Sequence, residues 1–395
     1  MSTVRVVHTS NINLGRRFPN LESDAEIMRV GDVINVFNQL IDFVIKKKIH
    51  IVMIAGGLFD KMHPNRETVS VVLSAFGKIH SALPQTRIVL TPGPEELIIK
   101  KGGESDCNLS LFDHLSYVKV IGTNDTPDKV ELEFEGQKIV VSSVQSSFFF
   151  DSNFKKRRIP APKERVGLFL LCSYSRRQDL LYIDNELLSS RILQPLKERG
   201  YSYVALGQKN KLDLLEVGEF TALYPGSLER FNFDSDRERK CFVVFEIVDG
   251  VVQPPDTIRT SARALEYVNL TCSASDKNIE DSLKDLLKRG NREKILYATL
   301  NGQLSLEGFN SFKSSEILNE LKENFAFVHI DNRLSLVDEN EGYNFDALKV
   351  RPPIEEFKNY VRKEIDNAKK QKRHDEAKLL EELSLMGIRE IEEGL

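Results

Sequence analysis

The chain contains no tryptophan, only five methionines and only four cysteines in 395 residues. Cys107, Cys172, Cys241 and Cys272 are scattered and form no C-x-x-C pair. That distribution points to reduced thiols in a cytoplasm-like compartment (nuclear in a eukaryote) and away from a disulfide scaffold. No uninterrupted apolar run approaches the ~18 residues a membrane helix needs, so no membrane span is expected. Arg5 interrupts the first apolar run, Val4 to Val7, so no signal peptide is expected at the N-terminus. Internal repeats and low-complexity segments are absent as well. The net charge of −4 excludes a surface coated in positive charge. It leaves room for a local basic patch, because binding follows the local field and not the sum.

What is present describes a globular protein: 41% hydrophobic and 29% charged residues over a length that implies two or three domains. Over residues 1–250, short apolar runs alternate with helical patterns. Val4 to Val7, Ile49 to Ile54, Ile88 to Leu90, Lys138 to Val141, Gly167 to Leu171 and Tyr203 to Leu206 read as strands. Ile27, Val30, Ile34, Phe37, Ile41 and Val44 recur at helical spacing, and Val69 to Ile79 does so again. Alternation of this kind predicts a layered α/β domain. From Tyr224 to Glu246 the pattern becomes strand-rich, with a turn signal at Pro225-Gly226.

Pro254-Pro255 lies in a polar stretch that reads as a linker. Residues 263–340 then carry a second, smaller α/β unit. In it Leu265 to Thr271, Ile295 to Leu300 and Phe327 to Leu336 are strands. A helix capped by Asp276 and stopped by Gly290 carries Ile279, Leu283, Leu286 and Leu287, and Ser315 to Asn324 forms another. Pro352-Pro353 closes this unit. The segment 352–395 is helical in composition and carries two apolar stripes, Ile354, Phe357, Val361 and Ile365, then Leu379, Leu380, Leu383 and Met386. A terminal helix with two separated apolar patches either packs on its own domain or docks in a partner's groove.

In layered α/β sheets, ligands collect at the loops beyond the C-terminal ends of strands. Five such loops are legible: His8-Thr9-Ser10-Asn11-Ile12-Asn13-Leu14-Gly15, Ala55-Gly56-Gly57-Leu58-Phe59-Asp60, Thr91-Pro92-Gly93-Pro94-Glu95-Glu96, Cys172-Ser173, and Gly207-Gln208-Lys209-Asn210. In order and flanks these segments resemble the phosphoesterase motifs of the SbcD-type double-strand-break-repair nucleases, in the calcineurin-like metallophosphoesterase superfamily. That family is built as H-T-[SA]-D-x-H-L-G, G-D-[LI]-[FY]-D, G-N-H-[DE], a strand ending in His, and G-H-x-H. Tyr224-Pro225-Gly226-Ser227, followed by Arg230 and Phe231, resembles the family's closing segment. The resemblance covers residues 1 to about 250. It implies a four-layer α/β/β/α metallophosphoesterase-like sandwich, a small α/β DNA-capping domain and a C-terminal helical tail that binds an SbcC-like SMC-type ATPase. Homodimerisation through a helix of the first domain, here Val69 to Leu83, is implied too.

The chemistry departs from the pattern. Two adjacent dications need anionic oxygens and imidazoles, with one carboxylate bridging them. Here the metal-holding positions carry Asn11, Asn13, Gly57 at the bridging carboxylate, Pro94, Glu95, Cys172, Gln208 and Asn210. Only Glu95 and Cys172 retain a side chain able to ligate as an anion. No histidine falls at a matched position, and His8 corresponds to a framework residue. Asp60 and Glu96 lie beside the site and read as loop anchors. The expectation is a catalytically dead homologue with no metal and no cofactor. The alternatives are a regulatory interaction subunit that has lost DNA as well, and a nuclease rewired around Glu95, Glu96, Asp60 and Cys172.

For DNA, the candidate contacts are Arg16, Arg17, Lys61, Arg66, Lys100, Lys101, Lys155, Lys156, Arg157, Arg158, Arg176 and Arg177, in or near the strand-end loops. They would form a basic rim contacting phosphates without base readout. Phe148-Phe149-Phe150 stands just ahead of the run at 155–158, either as part of that surface or as buried core.

Overall fold

The computed structural model describes residues 2–18, 21, 23–99, 105–150, 159–163, 165–173, 188–217, 220–233, 237–272, 279–305 and 317–337, together with Val361, Ile365 and Leu380. The chain opens with β1 (Thr3–Thr9), α1 (Ser23–Lys46), β2 (Ile51–Ala55), α2 (Arg66–Ala82) and β3 (Arg87–Thr91). A short hairpin, β4 (Leu97–Ile99) and β5 (Ser105–Cys107), precedes β6 (Val118–Val120). Then follow β7 (Asp128–Phe134), β8 (Gln137–Ser143), β9 (Val166–Cys172), the short helix α3 (Gln194–Glu198), β10 (Tyr201–Gly207), β11 (Asp213–Val217) and β12 (Phe220–Tyr224). Strands β13 (Cys241–Val248), β14 (Val251–Val252) and β15 (Asp256–Arg259) close this part.

These strands form two sheets, one of seven strands ordered β14-β13-β1-β2-β3-β6 with β15 also on β13, and one of six ordered β11-β12-β10-β9-β8-β7. In the first, β1, β2, β3 and β6 are parallel and β13 is antiparallel to β1. In the second, β8, β9, β10 and β12 are parallel, with β7 and β11 as antiparallel edges.

Alternation along the strands assigns each face. In β2, Val52 and Ile54 pack with Val33, Phe37 and Val44 of α1 and Val72 and Phe76 of α2, while Ile51 and Met53 point the other way. The latter meet Leu168 and Leu170 of β9 and Tyr203 and Ala205 of β10 between the sheets. On the far side, Phe169 and Leu171 pack with Ile192, Leu193 and Leu196, the last on α3. Three cores separated by two sheets give four layers, α/β/β/α, as the sequence implied. Each fully buried aliphatic or aromatic side chain in these cores is worth ~1.5–3 kcal/mol.

Two local readings need correction. The apolar stripe of α1 places Phe37, Ile41 and Val44 in the core with Val30 and Ile34 packed against it, as expected, but Ile27 is exposed, and Val33, Val36, Leu40 and Arg29 are buried as well. The polar stretch around Pro254-Pro255 leads directly into β15, which pairs with β13, so the first sheet continues past it. The Phe triplet resolves to core: Phe148 and Phe149 are buried beside Phe169.

The chain divides into two compact units, Met1–Tyr267 with Asn291–Tyr297 and Phe325–Val328, and Val268–Gly290 with Ala298–Asn324 and His329–Leu395. Strands β16 (Ala264–Cys272), β17 (Lys294–Ser305) and β18 (Phe327–Val337) form a three-stranded sheet in the order β16-β17-β18. The second unit carries helices α4 (Ile279–Leu287) and α5 (Ile317–Asn324), with Leu283, Leu286, Ile317 and Leu321 buried. Within the C-terminal segment, Val361, Ile365 and Leu380 are helical and Val361 is buried, while Phe357, Leu379 and Leu383 lie outside the described residues. No described helix is long and apolar enough to cross a membrane.

Candidate functional site

The loops after β1, β2, β3, β9 and β10 meet at the C-terminal ends of both sheets. The first two are zipped together by backbone bonds: Asn11 N–H to Gly56 O (3.0 Å), Asn13 N–H to Gly57 O (2.8 Å) and Leu14 N–H to Leu58 O (2.9 Å). Asn11, Asn13 and Gln208 all sit at positive φ, +50°, +52° and +97°. Asparagine tolerates that region, whereas glutamine is held there by its surroundings. The two sheets approach so closely that a Cβ on Gly207 would lie 1.6 Å from the Ala55 carbonyl oxygen. A Cβ on Gly56 would lie 2.6 Å from Cys172 Sγ. Small residues at these points let the five loops converge.

The residues at the metal-holding positions are thereby brought together, and they bond to one another. Asn11 Nδ2 donates to Asn210 Oδ1 at 2.9 Å. Cys172 Sγ donates to Gln208 Oε1 at 3.4 Å, and the Gln208 amide in turn bonds to Glu95. Gly57 faces Asn11 and Asn13: a Cβ placed on it would lie 3.0 Å from Asn11 Oδ1 and 3.1 Å from Asn13 Oδ1. Pro94 occupies the same turn as Glu95, partly buried.

Glu96, which the sequence marked only as a loop anchor, is the centre of the third loop. It is fully buried, and its carboxyl accepts N–H bonds from Gly57 (2.9 Å), Gly93 (2.8 Å) and Phe59 (2.8 Å). Burial pushes its pKa up to about 7 against the pull of those bonds. Glu95 is exposed as a residue, yet its Oε2 lies over Gly93. Partial burial is the first cause raising its pKa, with Asp60 adding to it and Gln208 opposing it. Asp60 is also raised by burial and is held by Arg16 Nη1 at 2.8 Å. The Cys172 thiol is pushed well up, first by burial and then by the Glu95 and Glu96 charges. Burial of this kind favours the neutral thiol.

His8 is a framework residue in the strict sense. It is fully buried, bonded to Tyr203 Oη (3.0 Å) and Leu206 O (3.1 Å), and desolvation pulls its pKa down to about 3. It stays neutral and ties β1 to β10. Lys240 belongs to the site and escaped the sequence reading. Its buried Nζ donates to Asn210 O at 2.8 Å and Ser227 Oγ at 3.0 Å, fixing the fifth loop against the closing segment. Nothing in local spacing separates it from Arg237 and Arg239 beside it.

The donor set does not suit two dications. A bridging ligand must be an anion, and at Gly57 there is only a backbone N–H already given to Glu96. The amide oxygens of Asn210 and Gln208 each accept a hydrogen bond from a neighbouring side chain, and neither carries the negative charge two dications require. Among the described residues, no three His, Cys, Asp or Glu side chains are grouped to hold a metal ion.

Of the basic candidates, Arg16 pairs with Asp60 and lies 5.2 Å over the Phe231 ring, and Arg17 pairs with Glu26 at 2.6 Å. Lys61 and Arg66 are exposed. Lys100, Lys101, Lys155, Lys156, Arg157, Arg158, Arg176 and Arg177 lie outside the described residues.

No family profile matches the chain. Two archaeal proteins named DNA double-strand break repair protein Mre11 are similar to it. That of Methanocaldococcus jannaschii is 20% identical over 360 residues, covering 89% of each chain. That of Methanopyrus kandleri is 22% identical over 313 residues, 74% of this chain and 64% of that protein. Among solved structures, an archaeal phosphodiesterase matches 65% of this chain and 100% of its own, at 10% identity and a TM-score of 0.33. The sequence likeness is thus to proteins named for DNA double-strand-break repair, the group whose motifs the strand-end loops resemble.

Proposed function

We propose that this chain is a non-catalytic, SbcD-like subunit that binds DNA without sequence preference and scaffolds an SbcC-like SMC-type ATPase in double-strand-break repair. The observation that carries the reading is the closed hydrogen-bond set at the former metal positions. Asn11 is joined to Asn210, Gln208 to Cys172 and Glu95, and the Gly57 N–H to Glu96. Amides bonded to amides cannot offset two adjacent positive ions. A rewired nuclease is disfavoured by the same geometry, since Glu96 is consumed by three backbone N–H groups and Asp60 by Arg16.

The ATPase would be held by the tail, with Phe357, Val361, Leu379, Leu380 and Leu383 as groove-filling anchors. The chain would act as a homodimer, the arrangement the resemblance implies. A second reading, an interaction subunit without DNA, draws on Arg16 and Arg17, both tied to carboxylates.

The test has two arms. Purified protein with Mn²⁺ should cleave neither single- nor double-stranded DNA above a buffer control, and Gly57→Asp should not rescue cleavage. Metal-dependent cleavage that vanishes in Glu95→Ala would instead establish the rewired site. Replacing Leu380 and Leu383 with Asp should abolish co-purification with the ATPase, because burying unpaired carboxylates costs several kcal/mol. An interaction indifferent to removal of residues 354–395 would sink the tail assignment.

A further inference from the structure

Among the described residues, the charged groups of the first unit are distributed unevenly between its two ends. At the loop end, Arg16, Arg17, Lys209 and Lys211 pair with Asp60, Glu26, Asp213 and Glu238. Lys61 stands beside Asp60, and Arg66 beside Glu67. The opposite end, where the parallel strands begin, is different. Three depressions of about 600, 420 and 470 Å³ lie there. The second and third share Ser202 and Gly250, and Val252 on the second is the chain neighbour of Gln253 on the first, so the three line this end of the unit as a segmented trough.

The first depression is walled by Arg5 and by Lys46, Lys47 and Lys48 at the end of α1. Lys197 lines the second, and Lys138 and Arg165 the third. Against these stand Glu246 and Asp256 in the first and Asp249 in the third. Glu246 pairs with Arg5 at 3.2 Å, and Asp249 Oδ1 accepts the Ser2 N–H at 3.0 Å. Arg165 pairs with Glu131. Lys46, Lys47, Lys48 and Lys138 extend into solvent.

Cations at a helix C-terminus are favoured by the helix dipole, which accounts for part of the lysine run. It does not account for Arg5, Lys138, Arg165 or Lys197, which stand on or before other strands. Nor does local conformation call for Lys48. That residue is at φ +51° in the turn closing α1, where Ile49 N–H bonds to Val44 O at 3.0 Å, a position that suits glycine best.

We infer that this trough is a phosphodiester-binding surface for duplex nucleic acid, on the face opposite the former metal site. Exposed lysine ammonium groups beside the depressions suit phosphates read without sequence preference. The lining aromatics do not offer stacking faces: Tyr201 and Phe220 are buried and Phe43 is half-buried, so unpaired bases have no platform. An acidic amphipathic helix would need an apolar stripe to meet its own, and among the trough residues only Val251 is an exposed large hydrophobic. The inference rests on the reading of the chain as a DNA-binding subunit and moves part of the contact to a new face.

The experiment is fluorescence anisotropy of the full chain with a 30-base-pair duplex, without added metal, over 50–300 mM salt. The triple variant Lys46→Glu, Lys47→Glu, Lys48→Glu is compared with Lys61→Glu, Arg66→Glu at the loop end. All five side chains are exposed, and each variant's melting temperature is matched to the parent first. Loss of three phosphate contacts lowers the log–log salt slope by about 3. A fall of that size in the triple variant, with binding weakened at least tenfold at 100 mM salt, supports the trough whatever the loop-end variant does. Parent-like binding by the triple variant alongside weakening of the loop-end pair overturns it and keeps DNA on the canonical face. Parent-like binding by both variants also overturns it. A parent chain that binds no duplex overturns the DNA-binding reading itself. Binding of labelled polyglutamate by a protein that ignores duplex would overturn the inference and assign the trough to an acidic peptide.

Discussion

Glu96 is where the chemistry of this molecule is most exposed to measurement. Its carboxyl is fully buried and accepts three backbone N–H bonds, and still its pKa is lifted from 4.5 to about 7. Desolvation therefore outweighs hydrogen bonding, and the folded protein keeps a proton that the unfolded chain has released. The stability contributed by this protonated group is complete below about pH 4.5 and is lost as pH rises through about 7. A shift of this size corresponds to ~3 kcal/mol, at ~1.4 kcal/mol per unit. Urea unfolding at pH 5 and pH 7.5 should show a fall of that order in the parent. Glu96→Gln, which mimics the protonated acid, should show a much flatter profile. If the Gln variant keeps the parent's slope, the titrating group is another carboxyl, and Glu95 and Asp60, both raised, are the next to replace.

At the scale of elements, α1 shows what a sequence pattern carries and what it does not. Its apolar periodicity announces a helix, and the helix is there. Its face is the expected one at Phe37, Ile41 and Val44, but Ile27 is exposed while Arg29 is fully buried. Arg29 pairs locally with Asp32 Oδ2 at 2.7 Å, and it is interior because of partners far along the chain, Glu229 Oε1 at 3.2 Å and the Arg230 carbonyl at 2.8 Å. Arg263 completes the set, donating to the same Asp32 oxygen at 2.7 Å. Local spacing holds no signal for contacts two hundred residues apart. Strand positions fared better, since β1, β2, β3, β9 and β10 are built on short apolar runs whose ends coincide with the motif loops. The network predicts a large single-site effect. Arg29→Ala leaves Asp32 and Glu229 buried without their cation, and should cost ~3–5 kcal/mol in thermal or urea unfolding. A loss below ~1 kcal/mol would mean that water or Arg263 takes over the charge, a surface-like outcome.

For the molecule as a whole, the five-loop convergence was legible because each loop follows its own strand, and the motif order lists them. How the loops are held together was not, since the Asn11–Asn210 bond and the Lys240 contact join distant segments. In a metal-bearing site the ions cross-link such loops and stabilise the fold by mass action. Ligand at a thousand times its dissociation constant adds ~4 kcal/mol. In a domain of this size that raises the melting temperature by about 10 °C, at ~2–4 °C per kcal/mol. Here the cross-links are side-chain amides, a buried ammonium and the Glu96 carboxyl, all of which are present without any ion. The melting temperature should therefore move by no more than about 1 °C between 1 mM Mn²⁺ and excess EDTA. Gly57→Asp should not restore sensitivity. A Cβ there would press on the Asn11 Cα at 2.9 Å at a φ of +69°, so the variant should melt below the parent with or without Mn²⁺. A Mn²⁺-induced rise of several degrees in the parent that disappears in Glu95→Ala would show that this loop cluster still holds metal, through ligands its relatives do not use.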